Sequence, residues 1–300
     1  RVRDYEETPR RLAGDAIDAA IAAGEVDFVE AVAAPLPMNV FVSILGVPPE
    51  DAAHLVELAD LLVAGTSGEE IDPGAYGNTT PLHLLPFQSP AAWALYEYAA
   101  KIGAERRRRP EDDLVSRLVH AQVAGDRLSD QEFRNFFQLL VFAGNETTRT
   151  TLSHGAVLLA QHPEELASLV GAEPARFASA TEEILRVASA IINFRRTATR
   201  DTELGGVRIR AGERVVMYYP SANADEAVFD DPLRFDVART PNEHVAFGGG
   251  GIHHCLGAFL ARLEIRVYLE ELVRRRVRFE LTGEPVRVRS NFVVGLSSVP

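Results

Sequence analysis

The chain reads as mainly α with small β-sheets, and three observations predict that class. Apolar residues recur at three- and four-residue steps through most of the chain up to Ala188 and again after Cys255. One such stretch, from Ser129 to His162, would span roughly 50 Å as a helix, enough to cross the body of a domain. Strand-like residues gather only after Ile191, where 203–219 alternates around Gly205, Gly206 and Gly212 as a hairpin does.

In chain order, helical patterns cover 10–23, 36–45, 49–64, 91–108, 114–123, 129–162, 164–170, 176–188 and 256–275. Ser129 with Glu132 predicts a capping box at the start of the long helix, and Pro163 closes its end. Residues 65–89, with Gly, Pro, Asn and Thr throughout, predict a loop between two helices. With 46% hydrophobic and 25% charged residues, the composition is that of a globular protein, and no break in it divides the chain, so a single domain over 1–300 is expected. The net charge of −12 argues against a nucleic-acid partner. No run of eighteen apolar residues and no signal-peptide pattern appears, so neither an anchor nor secretion is indicated.

The chemistry concentrates in residues 247–257, Phe-Gly-Gly-Gly-Gly-Ile-His-His-Cys-Leu-Gly, which hold the only cysteine. Cys255 stands where a helix begins, and free backbone N–H groups with the positive dipole end favour thiolate over thiol there. The glycines let backbone approach a large flat ligand without Cβ clashes. A thiolate is a strong iron ligand that pushes electron density toward dioxygen, so the expected ligand is haem. The alternative is an inert buried cysteine at a helix start.

Three further motifs narrow the choice. Within the long helix, Ala143-Gly-Asn-Glu-Thr-Thr148 combines a missing side chain at Gly144 with a hydroxyl at Thr147 that can bond back to a helix carbonyl, predicting a local opening for water or dioxygen. The competing readings are a glycosylation sequon at Asn145 and a surface polar cluster. Glu183 and Arg186 share a helix face and can pair in a planar, two-pronged fashion, although a solvated pair has the same spacing. Arg196 leads into the hairpin region, where a plain surface arginine is the alternative.

Taken together, these motifs resemble the cytochrome P-450 superfamily, whose loop reads Phe-Gly-x-Gly-x-His-x-Cys-x-Gly. Counting back from Cys255, His253 and Gly251 match, while Phe247 lies one residue further out, so the loop carries an extra glycine. That variant is similar to an actinobacterial subgroup that includes hydroxylases of sterols, branched lipids and terpenes. The resemblance runs from about Arg10 to the C-terminus. It implies haem b as cofactor, with Cys255 as iron ligand, Arg196 and His253 at the propionates, and Phe247, Gly248, Gly257, Ala143 and Gly144 beside the ring. It implies Glu146 and Thr147 as a proton relay, and Glu183, Arg186 and Arg239 as a network supporting the loop.

Substrate contacts are expected from Phe137, Val141, Ala143, Ile191, Ile192, Asn193, Phe194, Phe292 and Val293, and the loop 65–89 becomes the roof above the substrate. The implied activity is a cytoplasmic, monomeric monooxygenase that inserts one atom of dioxygen into an apolar lipid, steroid or terpenoid. Its electrons would come from NAD(P)H through ferredoxin reductase and ferredoxin, with Arg262 and Arg266 docking the ferredoxin. Relatives carry further helices, two strands and a haem-covering loop upstream of the position matched by Arg1, so the chain by itself is expected to hold haem loosely. Two other classes stay open: a haem-binding protein without turnover, and a haem-free accessory protein of the same fold.

Overall fold

The computed structural model describes residues 6–67, 70–122 and 124–300. The helices are α1 (Glu7–Ala23), α2 (Pro35–Leu45), α3 (Ala52–Ser67), α4 (Ala91–Arg108), α5 (Leu114–His120), α6 (Asp130–Gln161), α7 (Pro163–Ser168), α8 (Pro174–Ala188), α9 (Tyr219–Ala222) and α10 (Ala258–Arg274). The strands are β1 (Asn193–Thr197), β2 (Thr202–Leu204), β3 (Val207–Ile209), β4 (Arg214–Tyr218), β5 (Val286–Arg287) and β6 (Leu296–Ser298). They form three antiparallel pairs, β1 with β4, β2 with β3 and β5 with β6.

Helix ends follow local chemistry. At the start of α6, Glu132 N–H donates to Ser129 Oγ at 3.2 Å and Ser129 N–H donates to Glu132 Oε2 at 2.8 Å, the reciprocal capping box the spacing predicts. At the end of α2, Gly46 adopts φ 77°, a left-handed stop that a Cβ would strain. The expected 114–123 helix closes at His120, with Val123 outside the described residues, and the last long helix begins at Ala258 instead of Leu256. A π-helical turn at Val29–Ala33 had no sequence signal. The expected loop 65–89 begins later, after Ser67, and contains three single 3-10 turns, with residues 68–69 outside the described set.

The core lies on two sides of α6. On one side, Leu55, Leu58 and Leu62 of α3 and Leu95 of α4 pack with Phe133, Phe137 and Val141 of α6. On the other, Ile17 of α1, Ile184 of α8 and Val267 and Leu269 of α10 pack with Leu152 and Leu159. Each fully buried leucine contributes roughly 1.5–3 kcal/mol, so a helix that feeds both clusters is the most firmly held element. It therefore makes a rigid floor for a site. Across the surface between α1 and α10, Arg10 pairs with Glu6, Glu270 and Glu271, and Arg275 pairs with Asp18 and Glu271.

Candidate functional site

The glycine run before Cys255 is a left-handed strap. Gly248, Gly249, Gly250 and Gly251 have φ of 93°, 67°, 106° and 80°, a region that L side chains rarely enter. The strap folds the chain back so that Cys255 N–H donates to the Phe247 carbonyl at 3.0 Å. Cys255 is exposed, and the Ala258 N–H donates to the Cys255 carbonyl at 3.3 Å. Desolvation raises the thiol pKa, and the backbone N–H groups of Gly257 and Ala258 and the Arg262 charge oppose that rise without overcoming it. A cation on the sulfur would favour the thiolate.

Around this thiol the surface is apolar and open. Ile252, Leu256 and Phe259 are 97%, 77% and 73% exposed, which is costly in water and suits a flat hydrophobic group. His253 is exposed, and so is Arg196 on β1 opposite Val215. Among the described residues neither has a carboxylate partner, in a chain where most arginines near the core are ion-paired. An exposed thiol flanked in sequence by exposed apolar side chains, together with His253 and Arg196, neither with a carboxylate partner among the described residues, fits the sulfur ligand, ring face and propionates of a haem.

On α6 the helix runs unbroken through the Ala143–Thr148 motif, with Thr147 Oγ1 donating to the Ala143 carbonyl at 2.9 Å. Gly144 differs from expectation. A Cβ there would stand 3.2 Å from the Phe41 ring of α2, so the missing side chain makes room for that ring and not for a ligand. Ala143 supplies the bare exposed position instead. Asn145 is wholly buried, which removes the sequon reading. Glu146 is also buried, accepting from Arg149 Nη2 and from Thr150 Oγ1 at 3.4 Å, while Arg149 Nη1 reaches Asp60 of α3 at 2.7 Å. Burial raises the Glu146 pKa from 4.5 to about 7, against the opposing pull of Arg149 and with the help of the Asp60 charge.

The network under the loop has the geometry its spacing predicts. Arg186 donates from Nε and Nη2 to the two oxygens of Glu183, each at 2.8 Å, and both side chains are buried. Arg239 Nε reaches the same carboxylate at 3.1 Å, and Asn242 Nδ2 adds a donor at 3.0 Å. The remaining guanidinium hydrogens of Arg186 go to the carbonyls of Asn223, Pro232 and Arg234. Glu183 therefore ties α8 to the irregular segment that carries the chain toward Cys255. Asn242 had no signal in the sequence because nothing periodic marks that segment.

Several expected substrate positions separate. Phe137 and Val141 are fully buried in the core beside α3 and α4, with Phe137 stacked on Tyr98 at 5.8 Å, so neither has a face free for a ligand. The exposed stripe of α6 instead runs through Leu139 and Ala143. Phe194 and Phe292 do meet, edge to face at 5.5 Å, and Phe292 stacks on Phe142 at 6.2 Å, with Phe87 beyond it at 4.7 Å. Phe87 and Phe142 were missed because one lies in the loop and the other on a helix that is apolar on several sides. Ile191 bridges Val293, and Ile192 and Val293 line an open cleft of about 500 Å³, while Asn193 donates to the Asn291 carbonyl at 3.0 Å. Arg262 and Arg266, expected to dock a partner, are engaged within the chain by Glu182 and by Glu6 with Glu270.

Comparison with known proteins agrees with this geometry. A family model described as cytochrome P-450 matches residues 178–296. The chain is 38% identical over 293 residues to a steroid C26-monooxygenase of Mycolicibacterium smegmatis, covering 97% of this chain and 64% of that protein. It is 39% identical over 280 residues to a methyl-branched lipid omega-hydroxylase of Mycobacterium bovis, covering 92% of this chain and 62% of that one. The chain thus spans less than two thirds of the length of these curated relatives. Among solved structures, a Mycobacterium marinum cytochrome P-450 in complex with pseudoionone superposes with a TM-score of 0.89 at 43% identity, covering 100% of this chain and 70% of that one. A Bacillus megaterium cytochrome P-450 in complex with testosterone gives 0.84 at 33% identity, covering 99% and 78%. Among the described residues, no helix is long and apolar enough to cross a membrane. The chain belongs to the cytochrome P-450 family, and haem b is its cofactor.

Proposed function

We propose that the chain is the haem-bearing part of a monooxygenase that inserts one oxygen atom of dioxygen into an apolar branched lipid, steroid or terpenoid, the other atom leaving as water. The observation that carries this reading is Cys255, exposed and folded back by four left-handed glycines so that its N–H donates to the Phe247 carbonyl. The steroid and methyl-branched lipid relatives support the substrate class. Electrons come from NAD(P)H through ferredoxin reductase and ferredoxin, and the enzyme works as a cytoplasmic monomer.

Each residue has a task in this reading. Cys255 holds iron, and bound haem supplies the activation of dioxygen. Arg196 and His253 take the propionates, while Phe247, Gly248 and Gly257 shape the loop against the ring. Ala143 leaves the face of α6 bare, which would leave room for a small diatomic molecule beside a bound haem. Glu146, with its carboxyl pKa at about 7, is poised to take up or release a proton at neutral pH, and the chain of Arg149 and Asp60 connects it to the half-exposed rim. Thr147, whose hydroxyl is held by the Ala143 carbonyl, orients the water that passes that proton on. Phe194 and Phe292 form an apolar wall beside the substrate, with Ile191, Ile192, Asn193 and Val293 behind it.

The test is turnover of a branched lipid or steroid with isotopically labelled dioxygen, NAD(P)H, ferredoxin and its reductase. One labelled oxygen should enter the product, and Thr147→Ala should divert reducing equivalents to peroxide while binding haem and substrate as before. A product without label, or no product from haem-loaded protein with any member of these substrate classes, would overturn the proposal.

A further inference from the structure

Next to Glu183 on α8 stands Glu182, and successive residues on a helix point about 100° apart. One turn therefore sends one carboxylate into the buried Arg186 and Arg239 network and the other toward the root of the cysteine loop. Glu182 Oε1 accepts from Arg262 Nε at 2.7 Å, and its Oε2 accepts from Arg262 Nη2 at 2.9 Å, the two-pronged pairing that fixes a guanidinium plane. The same Oε2 lies 2.9 Å from His244 Nε2. The Ala246 N–H donates to His244 Nδ1 at 3.2 Å, so the Nδ1 atom is an acceptor and the hydrogen sits on Nε2, facing Glu182. The His244 ring is almost fully buried, and this arrangement holds it in one tautomer.

Both groups held by Glu182 converge on Phe247. The Arg262 guanidinium lies 4.5 Å from the centroid of the Phe247 ring, and the His244 ring lies 6.1 Å from it. The Phe247 carbonyl is the acceptor for Cys255 N–H. A continuous set of contacts thus runs from the Glu182 carboxylate through two side chains to the peptide group that positions the cysteine. Arg262 also lies on α10, the helix that Cys255 introduces, which keeps its fixed positive charge on the sulfur's side of the fold.

We propose that Glu182, His244 and Arg262 form a positioning clamp that orients the Cys255 loop through Phe247 and sets the electron density of the iron-bound sulfur through the paired Arg262 charge. This rests on Cys255 being the haem ligand. It also gives Arg262 an inward task in place of partner docking, since its Nε, Nη2 and flat face are all engaged.

The clamp makes a sign prediction that a merely structural brace does not. Removing the arginine charge by Arg262→Gln should lower the haem midpoint potential, because the ferric state gains relative to the ferrous one. Removing the opposing charge by Glu182→Gln should raise it, leaving Arg262 uncompensated. Both potentials are read by dye-coupled redox titration of haem-loaded protein, with Arg262→Lys expected to restore the charge contribution in part. His244→Gln, which disturbs position but not charge, should broaden the Soret band of the carbon monoxide complex with little movement of the potential. Shifts of the same sign in Arg262→Gln and Glu182→Gln, or no shift in either, would overturn the clamp while leaving Cys255 as ligand. If the two charge variants do not hold haem, Arg262→Lys and His244→Gln decide: unchanged spectra and potentials in both would equally overturn it. Absence of a thiolate spectrum in the unmutated protein would instead remove the reading on which the clamp rests.

Discussion

Glu146 shows how a single residue joins stability to chemistry. Its carboxyl is buried and its pKa is raised from 4.5 to about 7, with burial as the leading cause. Below about pH 4.5 the group is neutral in both the folded and the unfolded protein, and folding is not penalised. Between that value and 7 the folded protein keeps a proton the unfolded chain has released, so stability falls as pH rises, by an eventual total of roughly 3 kcal/mol above that range. Glu146→Gln should flatten this part of the pH–stability curve, measured by denaturant unfolding across pH 4 to 9. It should also slow turnover roughly 10²–10⁴-fold, the usual worth of a positioned proton donor. An unchanged curve would mean that the carboxyl is not held neutral. At this scale the sequence was informative for Thr147, whose hydroxyl bonds back to the Ala143 carbonyl as its place in a helix allows. It misled at Gly144, because a missing side chain does not say which neighbour uses the space, and here Phe41 does.

At the level of elements, α8 was the most legible. A pair three residues apart on a helix can meet whatever surrounds it, and Glu183 and Arg186 do so in the two-pronged geometry. What decides their importance is burial, and burial was invisible until the carbonyls of Asn223, Pro232 and Arg234 closed over Arg186. Glu183→Ala or Arg186→Ala should cost roughly 3–5 kcal/mol because the partner is stranded. Each should abolish haem incorporation, read as the ratio of Soret to protein absorbance. Haem-loaded variants at normal yield would show the pair to be dispensable.

The long α6 was equally plain in length and capping but not in orientation. Apolar residues lie on several of its faces, so periodicity could not separate the core-facing Phe137 and Val141 from the open stripe of Leu139 and Ala143. The loop after α3 offers a further test. A Cβ at Gly65 would lie 2.2 Å from the Phe87 carbonyl, a backbone atom that cannot swing aside. Gly65→Ala should therefore lift residues 86–88 from α3 at a cost of roughly 1–3 kcal/mol. Faster limited proteolysis within residues 70–88 would register that release, and wild-type resistance would place the loop elsewhere.

Across the whole molecule, the fold class was readable because helical periodicity and late, short strands are local signals, and both appear where expected. The pairing of charges was not readable. A net charge of −12 suggests an acidic surface, yet Arg262 and Arg266 are engaged by Glu182 and Glu6 from elements far away in sequence, and Arg266 also by Glu270 one turn along α10, so a stripe of two arginines four residues apart is not a free basic patch. The same long-range pairing organises the loop that holds the thiol, and the account as a whole depends on that thiol meeting iron. The direct measurement is the absorption spectrum of the reduced, haem-loaded protein under carbon monoxide, taken for the unmutated chain and for Cys255→Ser. The strongly red-shifted Soret band of a thiolate ligand should appear in the first and vanish in the second. A haem-loaded wild type without that band, or a serine variant that keeps it, would contradict the account.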